Sequence, residues 1–494
     1  MKLPRLTRRR ALSALAVGIP SAILGRPVGH VALSALRDHG TIPPARAGFA
    51  EDASRLDEVP VDTHVLPAAG TEDALGALLA HARAEGRAVS IAGARHTMGG
   101  QTSYPHGIVI NTSQVRAMRI DEGHSILTVQ SGARWSDVLA YLDPLGRSVA
   151  IMQAYSSFSI GGSLGANVHG WQHDRPPLAS SVEAFRIMLA DGRVLRASRS
   201  ENADLFGLVM GGYGLFGFVL DVELRTVASA LYSARRWEVD ADAYIDAFVE
   251  HVRSDAAAGM AYGRISVSPR SFLRAALLTA YRADAPSGTS IPPLADAKPS
   301  RLARAVFRGS VGSDYGKELR WQLESRLGGE AGDRVSRNQI LDEPVALFEN
   351  HDPSRTDILQ EYFVPPRAFT AFLARMREII PKHGVDLLNV TVRNVLRDDD
   401  AFLRYADGPM FALVLFFNQA RTAEEDSRLE GVAQELIDAV IPLGGRQYLP
   451  YRLHATPAQL LRGYPRAREF FAAKRKWDPG LVFRNQWFAK YGEV

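Results

Sequence analysis

The sequence contains no cysteine among its 494 residues. This absence excludes disulfide bonds, iron–sulfur clusters, zinc sites built from thiolates, and cysteine nucleophiles. It is compatible with an oxidising compartment, because no thiol is present to form a wrong disulfide. The hydrophobic fraction of 46% and the charged fraction of 23% are typical of globular proteins, and the length suffices for two or three domains.

An excess of charge is also absent from most of the chain. The net charge of +4 arises because residues 1–47 carry +7, whereas the remaining residues carry −3. A basic surface for nucleic acid would need basic residues spread over the folded part. We therefore predict no nucleic-acid partner.

Long apolar runs are missing, except for one near the start. Arg8-Arg9-Arg10 precede an uncharged run from Ala11 to Leu24, which is too short to cross a hydrocarbon core of about 30 Å comfortably. A basic start followed by a short apolar run predicts an export signal, and the paired arginines resemble a twin-arginine signal. We expect residues 1–47 to be a leader of a periplasmic or secreted protein, with Ala45-Arg46-Ala47 as a cleavage site. An N-terminal membrane anchor or a basic tail is the alternative.

Beyond the leader, the composition changes twice. Residues 54–228 are rich in glycine and alternate between short strands and helices, such as the predicted helices Glu72–Glu85 and Trp135–Leu142. Residues 229–443 contain amphipathic helices and longer strands, and residues 444–494 turn aromatic and basic. We therefore predict three folded regions with these boundaries.

Two glycine-rich segments follow β-like runs in the first region. Glycine permits tight turns and close approach of backbone to a ligand, and consecutive amides in such turns hold phosphate groups. Two such segments favour a diphosphate over a single phosphate. The candidate cofactor-binding residues of the first segment are Gly93, Ala94, Arg95, His96, Thr97, Gly99, Gly100 and Gln101. Those of the second segment are Ser159, Gly161, Gly162, Gly165, Asn167, His169 and Gly170.

A third segment, residues 212–217, satisfies the pattern G-x-G-x-x-G of Rossmann dinucleotide-binding folds. That pattern should follow a strand and open a helix. Here the helix-like Asp204–Met210 precedes it and the strand-like Phe218–Leu224 follows it. We therefore predict no Rossmann NAD site.

Taken together, the segments resemble the FAD-binding domain of the vanillyl-alcohol oxidase and p-cresol methylhydroxylase superfamily. The resemblance covers residues 54–228 and the C-terminal stretch. It implies an α+β fold with a two-subdomain FAD-binding domain, a separate α+β cap over residues 229–443, and a C-terminal segment that returns to the FAD domain. The motifs that carry it are Gly93–Thr97, Gly161–Gly170, Leu189–Val194, Leu205-Phe206 with Gly211–Gly217, and Trp477–Trp487.

The resemblance also implies FAD as the cofactor, with Gly214, Phe218, Val219 and Asn485 as further binding residues. His96 occupies the position at which many members bond covalently to the flavin, a reaction that needs a neutral imidazole. The chain differs there, with Gly-Ala-Arg-His-Thr where the family often has Gly-x-Gly-His-Ser. We expect the neighbouring Arg95 to disfavour an imidazolium.

For the substrate side, Asn389, Thr391 and Arg393 lie two residues apart and share one face of a strand, and Glu361 lies in another strand. This is similar to aldonolactone and alditol oxidases, although their C-terminal His-Trp-Gly-Lys is replaced near His454. We predict Glu361, Arg393 and His454 as catalytic residues, with Glu361 or His454 as the base, and predict no metal site.

The predicted function is an FAD-linked oxidase or dehydrogenase that takes a hydride from a carbon bearing a hydroxyl group. Its partners would be a small polyol, sugar, lactone or sugar acid, and oxygen or another redox partner as acceptor. Three alternatives remain: a flavin-dependent double-bond reductase related to sterol reductases, a flavoprotein without substrate turnover, and a non-flavin nucleotide-binding protein.

Overall fold

The computed structural model describes residues 21–38, 40–284, 290–295, 300–326, 331–343, 345 and 348–493. Helices and strands are both abundant, in agreement with the predicted α+β class. The strands up to residue 228 are β1 Phe49–Ala50, β2 Val59–Pro60, β3 Asp62–Val65, β4 Val89–Ala92, β5 Ile108–Asn111, β6 Met118–Ile120, β7 Ile126–Gln130, β8 Arg147–Val149, β9 Val182–Met188, β10 Val194–Ser198 and β11 Phe218–Ala228. The later strands are β12 Leu231–Asp240, β13 Ala258–Ile265, β14 Ala275–Ala283, β15 Ala331–Ser336, β16 Arg355–Val364, β17 Asp386–Val395, β18 Met410–Ala420 and β19 Arg446–Gln447.

The helices divide in the same way along the chain. Those up to residue 228 are α1 Ser21–Arg37, α2 Thr71–Ala84, α3 Trp135–Leu142, α4 Ile160–Ala166 and α5 Ala203–Val209. The later helices are α6 Tyr244–Phe248, α7 Arg301–Arg308, α8 Asp314–Arg326, α9 Arg337–Leu341, α10 Phe369–His383, α11 Ala423–Val440, α12 Pro457–Gly463, α13 Ala467–Trp477 and α14 Gln486–Tyr491. Within the described residues, none of the helices is both long and apolar enough to span a membrane.

The first part of the chain forms a three-stranded sheet and a six-stranded sheet, besides the short β1–β2 pair. Strands β3, β5 and β4 are parallel, and they are joined through α2, whose Leu75 and Leu79 are fully buried against the sheet. The other sheet has the order β10-β9-β11-β7-β6, with β8 paired to β11, and all its ladders are antiparallel. The Asp191-Gly192 turn between β9 and β10 has the left-handed φ of 92° at the glycine, which a tight hairpin requires.

The end of the chain returns to the first of these sheets. Phe483 forms a parallel bridge with Val89 and is fully buried in that core. Asp478 accepts hydrogen bonds from the amides of Val482 (3.0 Å) and Phe483 (2.8 Å) and also binds the buried Lys474 ammonium. The aspartate of the closing motif therefore shapes the loop that carries Phe483 back to the sheet.

The second part of the chain forms one eight-stranded antiparallel sheet with the order β15-β12-β14-β13-β17-β18-β16-β19. Helices α10 and α11 pack on each other, and α11 packs on β16. Their apolar stripes bury Phe372, Met376, Leu429 and Leu436 completely or nearly so.

The described part of the predicted leader, residues 21–38 and 40–47, is packed against the later part of the chain. Helix α1 packs on α7, where Ser34 Oγ donates to the Ala305 carbonyl (2.9 Å) and His30 Nε2 lies 2.8 Å from the Gly309 carbonyl. Asp38 forms an ion pair with Arg304. The described part of the predicted leader therefore contacts the later part of the chain, and the export signal itself stays a prediction. Arg8, Arg9 and most of the apolar run lie outside the described residues.

Candidate active site

A cavity of about 590 Å³ separates the glycine-rich loops from the eight-stranded sheet. One side is formed by the loops after β4 and before α4 and by residues 212–217. The opposite wall is the face of the sheet that carries Glu361, Thr391 and Arg393. A volume of this size is typical of a cofactor or small-molecule site.

The first loop presents three consecutive backbone amides without protein partners. The amides of Arg95, His96 and Thr97 donate no hydrogen bond to any described residue. Arg95 has a left-handed backbone with a φ of 58°, which L-residues other than glycine rarely adopt. Consecutive free amides next to a left-handed residue form a concave anion-binding site.

His96 lies inside the cavity, stacked on Phe158 with a ring-centroid distance of 3.9 Å and an interplanar angle of 17°. Its Nε2 is 3.2 Å from Ser157 Oγ. Burial, with a smaller contribution from the charge of Arg134, lowers the pKa of His96 to about 4. The imidazole is therefore neutral, as expected, but burial is the main cause, and the cationic contribution is that of Arg134 and not the predicted Arg95.

The second loop enters the short helix α4, whose N-cap is Ser159 and whose C-cap is Asn167. Ser159 Oγ accepts a hydrogen bond from the amide of Ala94 (3.2 Å), so it ties the two loops together. A Cβ at Gly161 would lie 2.8 Å from the Cβ of Ser131, which explains the glycine at this position. The two predicted loops therefore meet at one end of the cavity.

The segment of residues 212–217 lies between α5 and β11, the reverse of the Rossmann order, as the sequence predicted. Gly214 has a left-handed φ of 74° and lines the cavity beside Ile91.

Most of the residues predicted to bind the cofactor line this one cavity. They are Gly93, Ala94, Arg95, His96, Thr97, Gln101, Ser159, Gly161, Gly162, Gly165, His169, Gly214 and Val219. Six others do not line it: Gly99, Gly100, Asn167, Gly170, Phe218 and Asn485.

Four of these six residues are held by neighbouring segments or by the core. Asn485 Nδ2 donates to the carbonyls of Gln101 (3.1 Å) and Tyr213 (2.9 Å), so it holds two lining loops at once. Asn167 Nδ2 donates to Asp398 (2.8 Å), and its Oδ1 accepts from the Ala179 amide (3.0 Å). The amide of Gly100 donates to Asp52, and Phe218 is fully buried in the core.

The wall opposite the loops is formed by paired residues of three neighbouring strands, β16, β18 and β17. Glu361 of β16 pairs with Val414 of β18, and Val414 pairs with Thr391 of β17. Paired residues in antiparallel strands point to the same side, so Glu361 and Thr391 face the cavity about 10 Å apart. Arg393 follows two residues further along the same face. The structure therefore brings together the predicted Glu361, Thr391 and Arg393.

Glu361 and His169 are in close contact in the cavity. Glu361 Oε1 lies 2.7 Å from His169 Nε2, and Tyr451 donates a hydrogen bond to Oε2 (3.1 Å). Burial alone would raise the pKa of Glu361, but His169, Arg393 and Tyr451 together outweigh it and hold that pKa below its usual value. Glu361 is therefore a carboxylate at neutral pH, although its side chain is almost completely buried.

Aromatic rings enclose this pair. The imidazole of His169 lies 5.3 Å from the ring centroid of Phe363, 5.7 Å from that of Tyr405 and 5.9 Å from that of Tyr448. The hydroxyls of Tyr405 and Tyr448 donate to the carbonyls of Asn167 and Ala166. The rings exclude water from the pair, which strengthens its electrostatic interactions.

His454 does not line this cavity, so the structure does not support its predicted role as a base. It is buried behind β16, where Nδ1 lies 3.0 Å from Gln360 and Nε2 lies 3.3 Å from Asp426. Gln360 and Glu361 are consecutive in a strand and point to opposite faces, which places His454 on the other side of the sheet.

Sequence reasoning did not identify two features of the site. Tyr451 was missed although it precedes Arg452 in the stretch compared with the sugar-lactone oxidases. The second missed feature is apolar: Leu359 and Phe416 line the cavity together with Glu361. Alternation along β16 could have placed Leu359 beside Glu361, whereas no local pattern indicates that Tyr451 reaches Glu361.

The donor set fits a dinucleotide with a diphosphate and a planar ring system. In addition to the free amides, Thr97 Oγ1, Thr112 Oγ1 and Ser131 Oγ line the cavity, are buried and have no hydrogen-bond partner. Buried polar atoms without partners are uncommon in folded proteins, and a bound polar ligand would satisfy them. Over the residues that the structure describes, no cluster of His, Asp or Glu is suited to holding a metal ion. Fold and cavity thus define a dinucleotide-binding protein of the non-Rossmann type.

Comparison with known proteins identifies the dinucleotide. Residues 64–198 match the family described as "FAD binding domain". The chain is 30% identical to L-gulonolactone oxidase of Mus musculus over 30% of its length and 34% of that protein. It is 30% identical to cytokinin dehydrogenase 2 of Arabidopsis thaliana over 26% of each chain. Thus the chain aligns with about a third and a quarter of the length of these two relatives.

A third relative is matched over nearly the whole chain. Decaprenylphosphoryl-beta-D-ribose oxidase of Mycolicibacterium smegmatis is 22% identical over 86% of this chain and 94% of that protein. Residues 64–198 thus form an FAD-binding domain, and the cofactor of the chain is FAD.

Proposed function

We propose that this protein is an FAD-dependent oxidoreductase that removes a hydride from a carbon bearing a hydroxyl group. The observation that carries the proposal is the group formed by Glu361, His169 and Arg393, which faces the FAD-binding loops across one cavity. A flavoprotein without turnover would have no use for charged side chains held without solvent at this position, since burying charge is costly.

FAD, when bound, supplies the acceptor for the hydride. The residues that would hold it are the amides of Arg95, His96 and Thr97, together with the buried hydroxyls of Thr97 and Ser131. Gly214 and Val219 line the same end of the cavity.

The remaining task of the protein is to receive the hydroxyl proton. We propose His169 as the acceptor, with Glu361 orienting the imidazole and stabilising its charge after protonation. The ionised state of Glu361 supports this role, since a carboxylate beside a histidine favours the imidazolium form. His169 Nδ1 is buried and has no hydrogen-bond partner among the described residues.

Arg393 is suited to binding an oxygen of the substrate. Its guanidinium makes no hydrogen bond or ion pair with the described residues, and its Nε is buried. Arginine binds anionic and hydroxyl oxygens through several N–H groups at once. Asn389 and Thr391, which are hydrogen-bonded to each other at 3.0 Å, would provide further polar contacts.

We propose a small polyol, sugar, lactone or sugar acid as the substrate. The polar strand face supports this class, and so do the activities named for two relatives, an L-gulonolactone oxidase and an oxidase of a ribose derivative. Oxygen or another redox partner would accept the electrons. In this proposal, residues 54–228 and 444–494 form the FAD-binding domain and residues 229–443 form the cap.

The function is tested by adding a panel of these substrates to the purified protein without oxygen. We expect at least one sugar-type alcohol to bleach the flavin absorbance, because electrons transferred from substrate remain on the cofactor when no acceptor is present. Bleaching by none of the panel, with normal reduction by dithionite, would contradict the proposal. Bleaching by NADPH alone would indicate a reductase.

We also propose that the protein is exported by the twin-arginine route, with an N-terminal anchor as the alternative. The basic Arg8-Arg9 before the apolar run supports this. The double substitution Arg8→Lys, Arg9→Lys should retain the protein in the cytoplasm, as measured by cell fractionation. Unchanged export would exclude this route. Because α1 is packed against α7, we expect any cleavage to occur before the helix and not at Ala45-Arg46-Ala47.

A further inference from the structure

Arg95 occupies a backbone position that favours glycine. Its φ of 58° lies in the left-handed region, where a Cβ is sterically unfavourable. The sequence around it departs from the family pattern at this residue. A side chain retained at such a position is explained if it forms an interaction that glycine cannot provide.

The guanidinium of Arg95 has no partner among the residues that the structure describes. It lines the cavity and makes no hydrogen bond or ion pair with any described residue. Burial lowers the pKa of Arg95, but an arginine remains charged at neutral pH. A partly buried, unpaired cation in a cavity favours an anionic ligand.

The side chain of Arg95 is attached to the loop that presents the free amides, and it lines the cavity. Arg95 itself contributes one of the three consecutive free amides. Its charge therefore acts on the loop end of the cavity, where the dinucleotide would bind.

We infer that Arg95 binds a phosphate-class anion together with the free amides of residues 95–97, and that this anion is the diphosphate of FAD. The inference rests on the cofactor assignment and is independent of the proposed reaction. In this site, the positive charge of the Arg95 side chain acts together with the backbone amides that bind the phosphate. An anionic group of the substrate is the other source of the same chemistry, and the experiment separates the two.

The test measures the affinity of the apoprotein for two flavins in the His96→Ala background, where no bond to His96 can form. FAD carries the diphosphate, whereas riboflavin lacks phosphate. We expect Arg95→Met to raise the Kd of FAD about 10- to 100-fold, because a charge-assisted hydrogen bond is lost. The Kd of riboflavin should be unchanged, and Arg95→Lys should retain part of the FAD affinity. Quenching of flavin fluorescence gives both constants.

A matched variant separates charge from backbone strain. Arg95→Gly removes the same charge but relieves the left-handed conformation, so it should weaken FAD binding as Arg95→Met does while melting at a higher temperature than Arg95→Met. The FAD affinity of the Arg95 protein should fall with added salt more steeply than that of either variant.

Three outcomes would overturn the inference. Equal losses of FAD and riboflavin affinity in both variants would show that Arg95 only shapes the loop. Unchanged FAD affinity with a raised KM for an anionic substrate would assign the anion to the substrate. Unchanged binding of both flavins and unchanged KM would leave Arg95 without an anionic partner.

Discussion

Replacing Glu361 by Gln is expected to lower kcat about 10²- to 10⁴-fold, the usual range for loss of general acid–base catalysis. The amide has the same shape as the carboxylate but no charge, so it cannot stabilise a protonated His169 at the 2.7 Å distance between them. Since the pKa of Glu361 is held below its usual value, the wild type should lose activity only towards acid pH, as Glu361 becomes protonated. The measurement is steady-state kinetics as a function of pH.

Glu349→Gln is the matched control, because Glu349 is an exposed carboxylate that lines the same cavity but is not in contact with His169. Its kcat should change by less than about twofold, as is usual for exposed sites that do not take part in proton transfer. A positioning role predicts that Glu361→Gln lowers kcat more than it changes KM. If Glu361→Gln retained wild-type kcat and flavin content, the proposed proton acceptor would be wrong.

Replacing His96 by Ala is expected to release the flavin on acid denaturation, whereas the wild-type chain should keep its flavin fluorescence on a denaturing gel. Burial keeps His96 neutral, with a pKa of about 4, and a neutral imidazole is the nucleophile that a covalent bond to flavin requires. The folded variant should still bind FAD, because the free amides of residues 95–97 remain in place. We also expect it to oxidise substrate more slowly.

His106→Ala provides the control, since His106 lies before β5 and does not line the cavity. It should retain its flavin on the gel. Flavin that is freely extracted from the wild type would exclude the covalent bond without affecting the fold. Flavin that stays attached in His96→Ala would assign the bond to another residue, and His169→Ala would then identify whether His169 is that residue.

Local patterns predicted the elements whose side chains repeat regularly. The helix Trp135–Leu142 lies where apolar periodicity placed it, and the predicted helix Glu72–Glu85 is observed as Thr71–Ala84. The Asn389, Thr391 and Arg393 face was predicted for the same reason, because alternation in a strand depends only on the backbone. The two glycine loops were found because their residue types are unusual.

Contacts between distant segments could not be predicted in this way. His169 was assigned to the cofactor and Glu361 to the substrate, and their 2.7 Å contact joins the loop after α4 to the eight-stranded sheet. His454 was wrongly placed, since its position relative to the sheet is fixed by Asp426 of α11. The packing of α1 on α7 was missed because a basic, apolar start is also typical of a leader.

The most direct test of the central claim is the absorbance spectrum of the purified protein. The account predicts a yellow protein with the two visible bands of oxidised flavin, in near-stoichiometric amount, because the free amides and buried hydroxyls of one cavity are satisfied by FAD. A colourless protein that cannot be reconstituted with FAD would contradict it.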